Sequence, residues 1–334
     1  MNVNEIIKDI RNKQFKPIYL LHGEEDYYID LISDFIENNA LTEAEKGFNQ
    51  TIFYGKDVEV STLLNTVKRY PMMSNYQVVI VREAQDLKLD KAADVFQSYC
   101  ENPLKSTILV LCHKHGKFDK RKKIFKIIEK IGLAFESTLL YENKIPAWIE
   151  DYIKLKSYHI NPKAAVLLAS YLGNDLTKIT NELDKLMLNI VKGQEIGTRE
   201  IQDNIGISKE YNVFELQTAL QKRDVVKANQ IINYFDANPK LNPLVLILGN
   251  LYAWFTKILK CHYIIDKSQL AKELGVNPYF VKDYEAAAKT YSMGKTYQAI
   301  AILREYDLKI KGVEVAAGTT PGELMKEMVW KLIH

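Results

Sequence analysis

Cysteine is scarce in this chain: Cys100, Cys112 and Cys261 are the only three in 334 residues, odd in number and far apart. That spacing excludes a disulfide framework and fits a reducing compartment, so a cytoplasmic protein is expected. A long apolar run is missing too. The most apolar stretch, Leu244 to Ile265, is interrupted by Gly249, Asn250, Lys257 and Lys260. It falls short of the ~18 consecutive apolar residues of a spanning helix and reads as a buried helix, with no membrane partner. Met1 to Gln14 mixes acids, Lys and Asn with isolated apolar residues, so no export signal is expected. Nor does one charge dominate: 45 Lys+Arg against 42 Asp+Glu leave a net +3, so any DNA contact must be regional. Repeats, low-complexity tracts and long flexible linkers are not seen either.

What is present is an ordinary globular balance, 47% hydrophobic and 26% charged residues, at a length above that of one hydrophobic core. Two or three domains are expected. From Pro17 to about Leu140, apolar runs at Ile18 to Leu21, Thr51 to Tyr54, Gln77 to Val81, Thr107 to Leu111 and Leu133 to Glu136 read as strands. Between them, Tyr27 to Asn39, Val58 to Arg69, Leu89 to Cys100 and Asp119 to Ile131 have helical period, which predicts an α/β unit with a parallel sheet. Beyond Glu142 strand signals vanish. Helices are expected from Ile145 to Ile205 and again from Val213 to Ile333, giving an α/β domain over 1–140 and two all-α domains over 141–210 and 211–334.

In an α/β domain of this kind, phosphates bind where the first strand meets the first helix. A P-loop needs glycines for close backbone approach, a Lys for charge and a hydroxyl for Mg²⁺. This chain reads Gly23-Glu24-Glu25-Asp26 there, one glycine followed by three carboxylates that would repel a triphosphate. The third strand should end in magnesium-binding acids but ends in Arg82-Glu83, with a cation at the ligand's place and Glu83 as a salt-bridged surface acid. Cys112-His113-Lys114-His115 lacks a second ligand pair and reads as the end of a strand, not a zinc site. Neither a catalytic site nor a bound cofactor or metal is expected. Lys120, Lys123, Lys126 and Lys130 fall on one face of a helix, either a solvated outer face or a phosphate-tracking stripe. Pro71-Met72-Met73 stands in a connection. Its methionines would either pack back onto the core, the reading the residues alone favour, or meet a partner.

Four segments carry a resemblance to a known family. They are Pro17-Ile18-Tyr19-Leu20-Leu21-His22-Gly23-Glu24-Glu25; Tyr70 to Ala84; Gly173-Asn174-Asp175-Leu176 with Asn181 to Leu186; and Asn212-Val213-Phe214-Glu215-Leu216 with Asp307-Leu308-Lys309-Ile310-Lys311-Gly312. In this order the chain resembles the delta subunits of bacterial DNA polymerase III clamp loaders, degenerate AAA+ proteins. The resemblance implies a RecA-like module, a helical lid and a helical oligomerisation collar. It implies a non-catalytic subunit that grips and opens the sliding clamp (the beta subunit) while gamma/tau subunits bind and hydrolyse ATP. Further partners would be the delta-prime subunit and primer-template DNA, at a cytoplasmic, nucleoid-associated replisome. The family's clamp-contacting Leu and Phe correspond here to Met72 and Met73. The alternatives from other classes are a stand-alone AAA+ ATPase, which a Lys-Ser or Lys-Thr pair near Gly23 would mark, and a helical nucleic-acid-binding scaffold.

Overall fold

Five runs of aliphatic residues form one sheet in the computed structural model, which describes residues 2–88, 93–315 and 318–334. They are β1 (Ile18–Gly23), β2 (Gln50–Tyr54), β3 (Gln77–Arg82), β4 (Thr107–His113) and β5 (Leu133–Ser137). All pairings are parallel, in the order β2-β3-β4-β1-β5. Parallel neighbours require crossovers, and these carry α2 (Asp26–Asn39), α3 (Glu43–Asn49), α4 (Val60–Val67), α5 (Ala93–Glu101) and α6 (Lys123–Ile131), with α1 (Val3–Arg11) ahead of β1. The expected helix over Leu89 to Cys100 is α5; its first four positions, Leu89 to Ala92, lie outside the described residues.

Residue parity decides which face each strand residue meets. Tyr19, Leu21, Val78, Ile80, Ile108 and Val110 pack with Ile6 and Ile10 of α1 and Ile29, Ile32 and Ile36 of α2. Ile18, Leu20, Val79, Val81, Leu109 and Leu111 pack on the other face with α4, α5 and α6. Burial on both faces is why these strands read as continuous apolar runs instead of alternating ones. Two helices were not expected. Both are short and opened by capping boxes: Asn2 Oδ1 accepts from Glu5 N–H at 2.9 Å at the start of α1, and Thr42 N–H donates to Glu45 Oε2 at 2.8 Å at the start of α3.

The chain divides into two units, Met1–Leu140 and Tyr141–His334. The second opens with α7 (Ile145–Leu155), α8 (Pro162–Leu172), α9 (Leu176–Leu188) and α10 (Thr198–Ile205). The expectation that strands end at Glu142 needs correction, because β6 (His159–Ile160) and β7 (Glu195–Ile196) pair in parallel. Two residues are too few to leave an alternating pattern, and the pair is held by buried Ile196 and by Asn161 N–H donating to the Ile196 carbonyl at 2.9 Å.

Seven helices follow among the described residues: α11 (Val213–Lys222), α12 (Val225–Ala237), α13 (Leu244–Tyr263), α14 (Leu270–Leu274), α15 (Val281–Thr290), α16 (Met293–Ile310) and α17 (Pro321–Ile333). Among the described residues, α13 alone is long and apolar enough to cross a membrane by length and composition. Here it is a bundle helix, burying Ile247, Leu251, Trp254, Phe255 and Ile258 in a core shared with α11, α15 and α16. Val245 and Tyr252 remain exposed, so its apolar residues do not all face the core.

Candidate functional site

The two ends of β3 present two different surfaces. At its C-terminal end lies the crevice where a nucleotide would sit in a sheet of this order. Gly23 ends β1 at φ +143°, and a Cβ there would run into the backbone of Ser137 on β5. The amides of Glu24 and Glu25 donate to the Ser137 carbonyl at 3.0 and 3.4 Å, and the Ser137 hydroxyl donates back to the Glu25 carbonyl at 2.6 Å. Backbone N–H groups that a P-loop turns toward phosphate are therefore engaged by the neighbouring strand. The buried Glu25 carboxylate caps α2 by accepting from Tyr27 N–H at 3.0 Å, as expected of an acid at a helix N-terminus.

Arg82, where a magnesium ligand would stand, faces a row of acids on α2: Nη2 reaches Asp34 Oδ1 at 2.6 Å and Glu37 Oε2 at 2.8 Å, and Nη1 lies 3.5 Å from Asp30 Oδ1. Burial opposes its charge, but hydrogen bonds to Asp34 and Glu37 outweigh that and hold its pKa above the ordinary value. Lys114 pairs with Asp30 at 2.8 Å and lies 3.6 Å from Glu83 Oε1, while His115 Nδ1 sits 2.8 Å from Asp26 Oδ2. The crevice is thus closed by the protein's own ion pairs. Among the described residues no three His, Cys, Asp or Glu side chains are grouped to hold a metal ion. Cys112 lies inside β4, where burial pushes its thiol up to about 11, and has no ligand geometry. Of the acids along this face of α2, Asp26 was singled out in the sequence, but Asp30, Asp34 and Glu37 were missed, although their spacing continues a single acidic face.

The opposite, N-terminal end of β3 carries Pro71, Met72 and Met73. These methionines do not pack back onto the core: Met72 is 62% exposed, Met73 fully so, and neighbouring Tyr70 is also in solvent. The segment is nonetheless tied down on three sides. Gln77, the first residue of β3, is buried and aims its amide nitrogen at the Arg69 carbonyl (2.7 Å) and Thr107 Oγ1 (2.8 Å), stopping α4 just before the tip. Thr107 Oγ1 in turn donates to the Val67 carbonyl at 3.0 Å. Tyr76 stands edge-on to Phe15 with ring centres 5.2 Å apart. Asn49, at the end of α3, accepts from Met72 N–H at 2.6 Å and donates to its carbonyl at 3.0 Å. Sequence reasoning missed Asn49.

The basic stripe requires a correction. Helix α6 starts at Lys123, so Lys120 is not on it. The reason is local: the Asp119 carboxylate accepts from Arg121 N–H at 2.9 Å and pairs with the Arg121 guanidinium, which folds the preceding residues into a turn. Lys120 pairs with Glu136 at 2.6 Å and Lys123 lies 3.8 Å from Glu101. Lys126 and Lys130 remain exposed on α6, with no ion pair among the described residues.

Comparison with known proteins is consistent with this layout. The sequence pattern described as "DNA polymerase III, delta subunit" matches residues 19–139, and that of "DNA polymerase III delta subunit, C-terminal domain" matches residues 210–319. The Bacillus subtilis (strain 168) protein "DNA polymerase III subunit delta" is 24% identical over 320 residues, covering 92% of each chain. The solved structure of the Bacillus subtilis DNA clamp loader delta protein aligns with a TM-score of 0.54 and 22% identity over 99% of each chain. A Thermotoga maritima RuvB mutant aligns at a TM-score of 0.40 and 12% identity over 94% of this chain and 93% of that one. With the two patterns together spanning more than half its length, this chain belongs to the DNA polymerase III delta-subunit family.

Proposed function

We propose that this chain is the clamp-binding, non-hydrolysing subunit of a bacterial clamp loader, opening the beta sliding clamp so that it can be placed on primed DNA. The observation that carries this reading is the pairing of an exposed, anchored methionine tip with a nucleotide crevice filled by the protein's own ion pairs. Pro71, Met72 and Met73 are the clamp contact, with the methionine side chains entering an apolar pocket. Residues Gly23 to Asp26 and Arg82-Glu83 are the remnant of an ATP site, so ATP turnover belongs to gamma/tau subunits. Residues 141–210 act as a lid and residues 211–334 as the collar that joins gamma/tau and delta-prime. Within the assembled loader, Lys126 and Lys130 are the cations of the basic segment left available to a DNA phosphate, whereas Lys120 and Lys123 first have to leave their acids.

Burying a Met side chain contributes ~1.5 to 3 kcal/mol, and Met72 is already partly covered in the free protein. Replacing both methionines by Ala should therefore weaken clamp binding by about 3 kcal/mol, roughly a hundredfold in Kd. The melting temperature should stay within about 2 °C, since exposed side chains contribute little to folding. Surface plasmon resonance against the clamp, with a thermal melt of the same variant, makes the test; wild-type affinity in the double variant would remove the tip from the interface.

A further inference from the structure

Asn49 is a buried polar side chain whose three hydrogen bonds all go to backbone. Its Nδ2 donates to the Glu45 carbonyl at 3.1 Å and to the Met72 carbonyl at 3.0 Å, while Oδ1 accepts from Met72 N–H at 2.6 Å. One carboxamide thereby holds both the donor and the acceptor of Met72, as a neighbouring strand would, across 23 residues of sequence. The bond to Glu45 fixes the carboxamide itself against the last turn of α3. Nothing in the methionine side chains explains the arrangement, because they project into solvent.

The backbone beyond Met72 needs such a hold. Met73 lies at φ +52°, a left-handed conformation that residues with a Cβ rarely adopt. Outside a helix or strand, a segment with one strained residue relaxes unless its surroundings over-determine it. Pro71 restricts the chain on one side. On the other, the Ser74 hydroxyl accepts from Tyr76 N–H at 3.4 Å, and Tyr76 is itself held edge-on against Phe15. Asn49 grips the residue between them.

We propose that Asn49 is the positioning residue of the docking tip: by pairing with both backbone groups of Met72 it holds Met72 and Met73 in their binding conformation before the clamp arrives. The proposal rests on the reading of the tip as the clamp contact. A preformed tip forfeits less conformational freedom on docking, so Asn49 contributes affinity without touching the partner. The amide is specific to this task. An aspartate at the same place offers only acceptors and sets its oxygen against the carbonyls of Met72 and Glu45, while an alanine leaves Met72 to water.

The test uses the full chain and the beta clamp, well below the melting temperature, with N49A and N49D each made in the wild-type and in the M72A/M73A background. Both substitutions should weaken clamp binding roughly tenfold with the methionines present and leave affinity unchanged where they are already Ala, because a residue that acts by aiming side chains has nothing left to aim. Hydrogen exchange should show the Met72 amide protected in the wild type and unprotected in N49A. Should N49A fail to fold, N49D, which keeps an acceptor for Met72 N–H, makes the same comparison. Wild-type affinity in a folded N49A or N49D, beside weakened binding in M72A/M73A, overturns the role of Asn49 and leaves the tip in place. An equal loss in both backgrounds overturns it as well, since Asn49 would then act through the fold at large. Wild-type affinity in M72A/M73A removes the clamp reading and this proposal together.

Discussion

His22 precedes the glycine at the end of β1 and is almost completely buried. Its Nδ1 accepts from Phe118 N–H at 3.2 Å, and its ring meets Phe125 edge-on at 5.7 Å. That acceptor role requires the neutral imidazole, and desolvation lowers the pKa to about 4. The sign follows directly. The folded pKa lies below the unfolded value near 6.5, so the unfolded chain takes up the proton more readily. The stabilisation is complete above about pH 6.5 and is lost as pH falls toward 4. At most about 3 kcal/mol is at stake over that window. Urea titrations at pH 7, 5.5 and 4.5 should show the midpoint falling, and the H22Q variant, with no imidazole to protonate, should show a shallower fall over the same range.

At the level of elements, α2 and β3 are joined by charge. Arg82 draws Asp30, Asp34 and Glu37 together on one helix face, and these carboxylates repel one another without it. The R82M variant should lose about 2 kcal/mol of stability at low salt and recover part of it at 0.5 M salt, where the repulsion is screened. Denaturant midpoints at both ionic strengths provide the measurement, and a salt-independent loss would point to packing instead of charge. This pairing also shows which features a sequence displays. The inner strands β1, β3 and β4 were legible because both faces are buried, so their apolar runs are unbroken, while the half-buried edge strands β2 and β5 gave weaker runs, and α13 was legible from its length. Helices α1 and α3 were not, since nine and seven residues hold too few turns for periodicity to emerge and only their capping boxes announce them. The Gly23-Glu24-Glu25-Asp26 turn could be singled out because its residues are contiguous in sequence, whereas the residues alone favoured packing Met72 and Met73 onto the core and the structure leaves both in solvent. Asn49 could not: an Asn at a helix end has many local uses, and its partner lies 23 residues away. Lys120 was misplaced because helical spacing takes no account of the turn that Asp119 forms.

Across the whole molecule, the first unit has a complete core on each face of its sheet, and the second has its own around α13 and α16. A chain ending at Leu140 should fold, bind the clamp with a Kd within about threefold of the full chain, and fail to enter a reconstituted loader. Gel filtration with the remaining subunits, alongside clamp affinity, checks both halves of that statement. The single strand β3 connects the tip at one end to the charge-filled crevice at the other, about 17 Å apart at the usual rise per residue. A rigid strand buried on both faces transmits little of a side-chain change from one pole to the other. A substitution in the crevice should therefore leave the methionine tip undisturbed, and one at the tip should leave the ion pairs of the crevice in place. Gln77 and Arg82, at the two ends of one strand, thus serve separate surfaces, and a side chain at either end can be altered without remodelling the other.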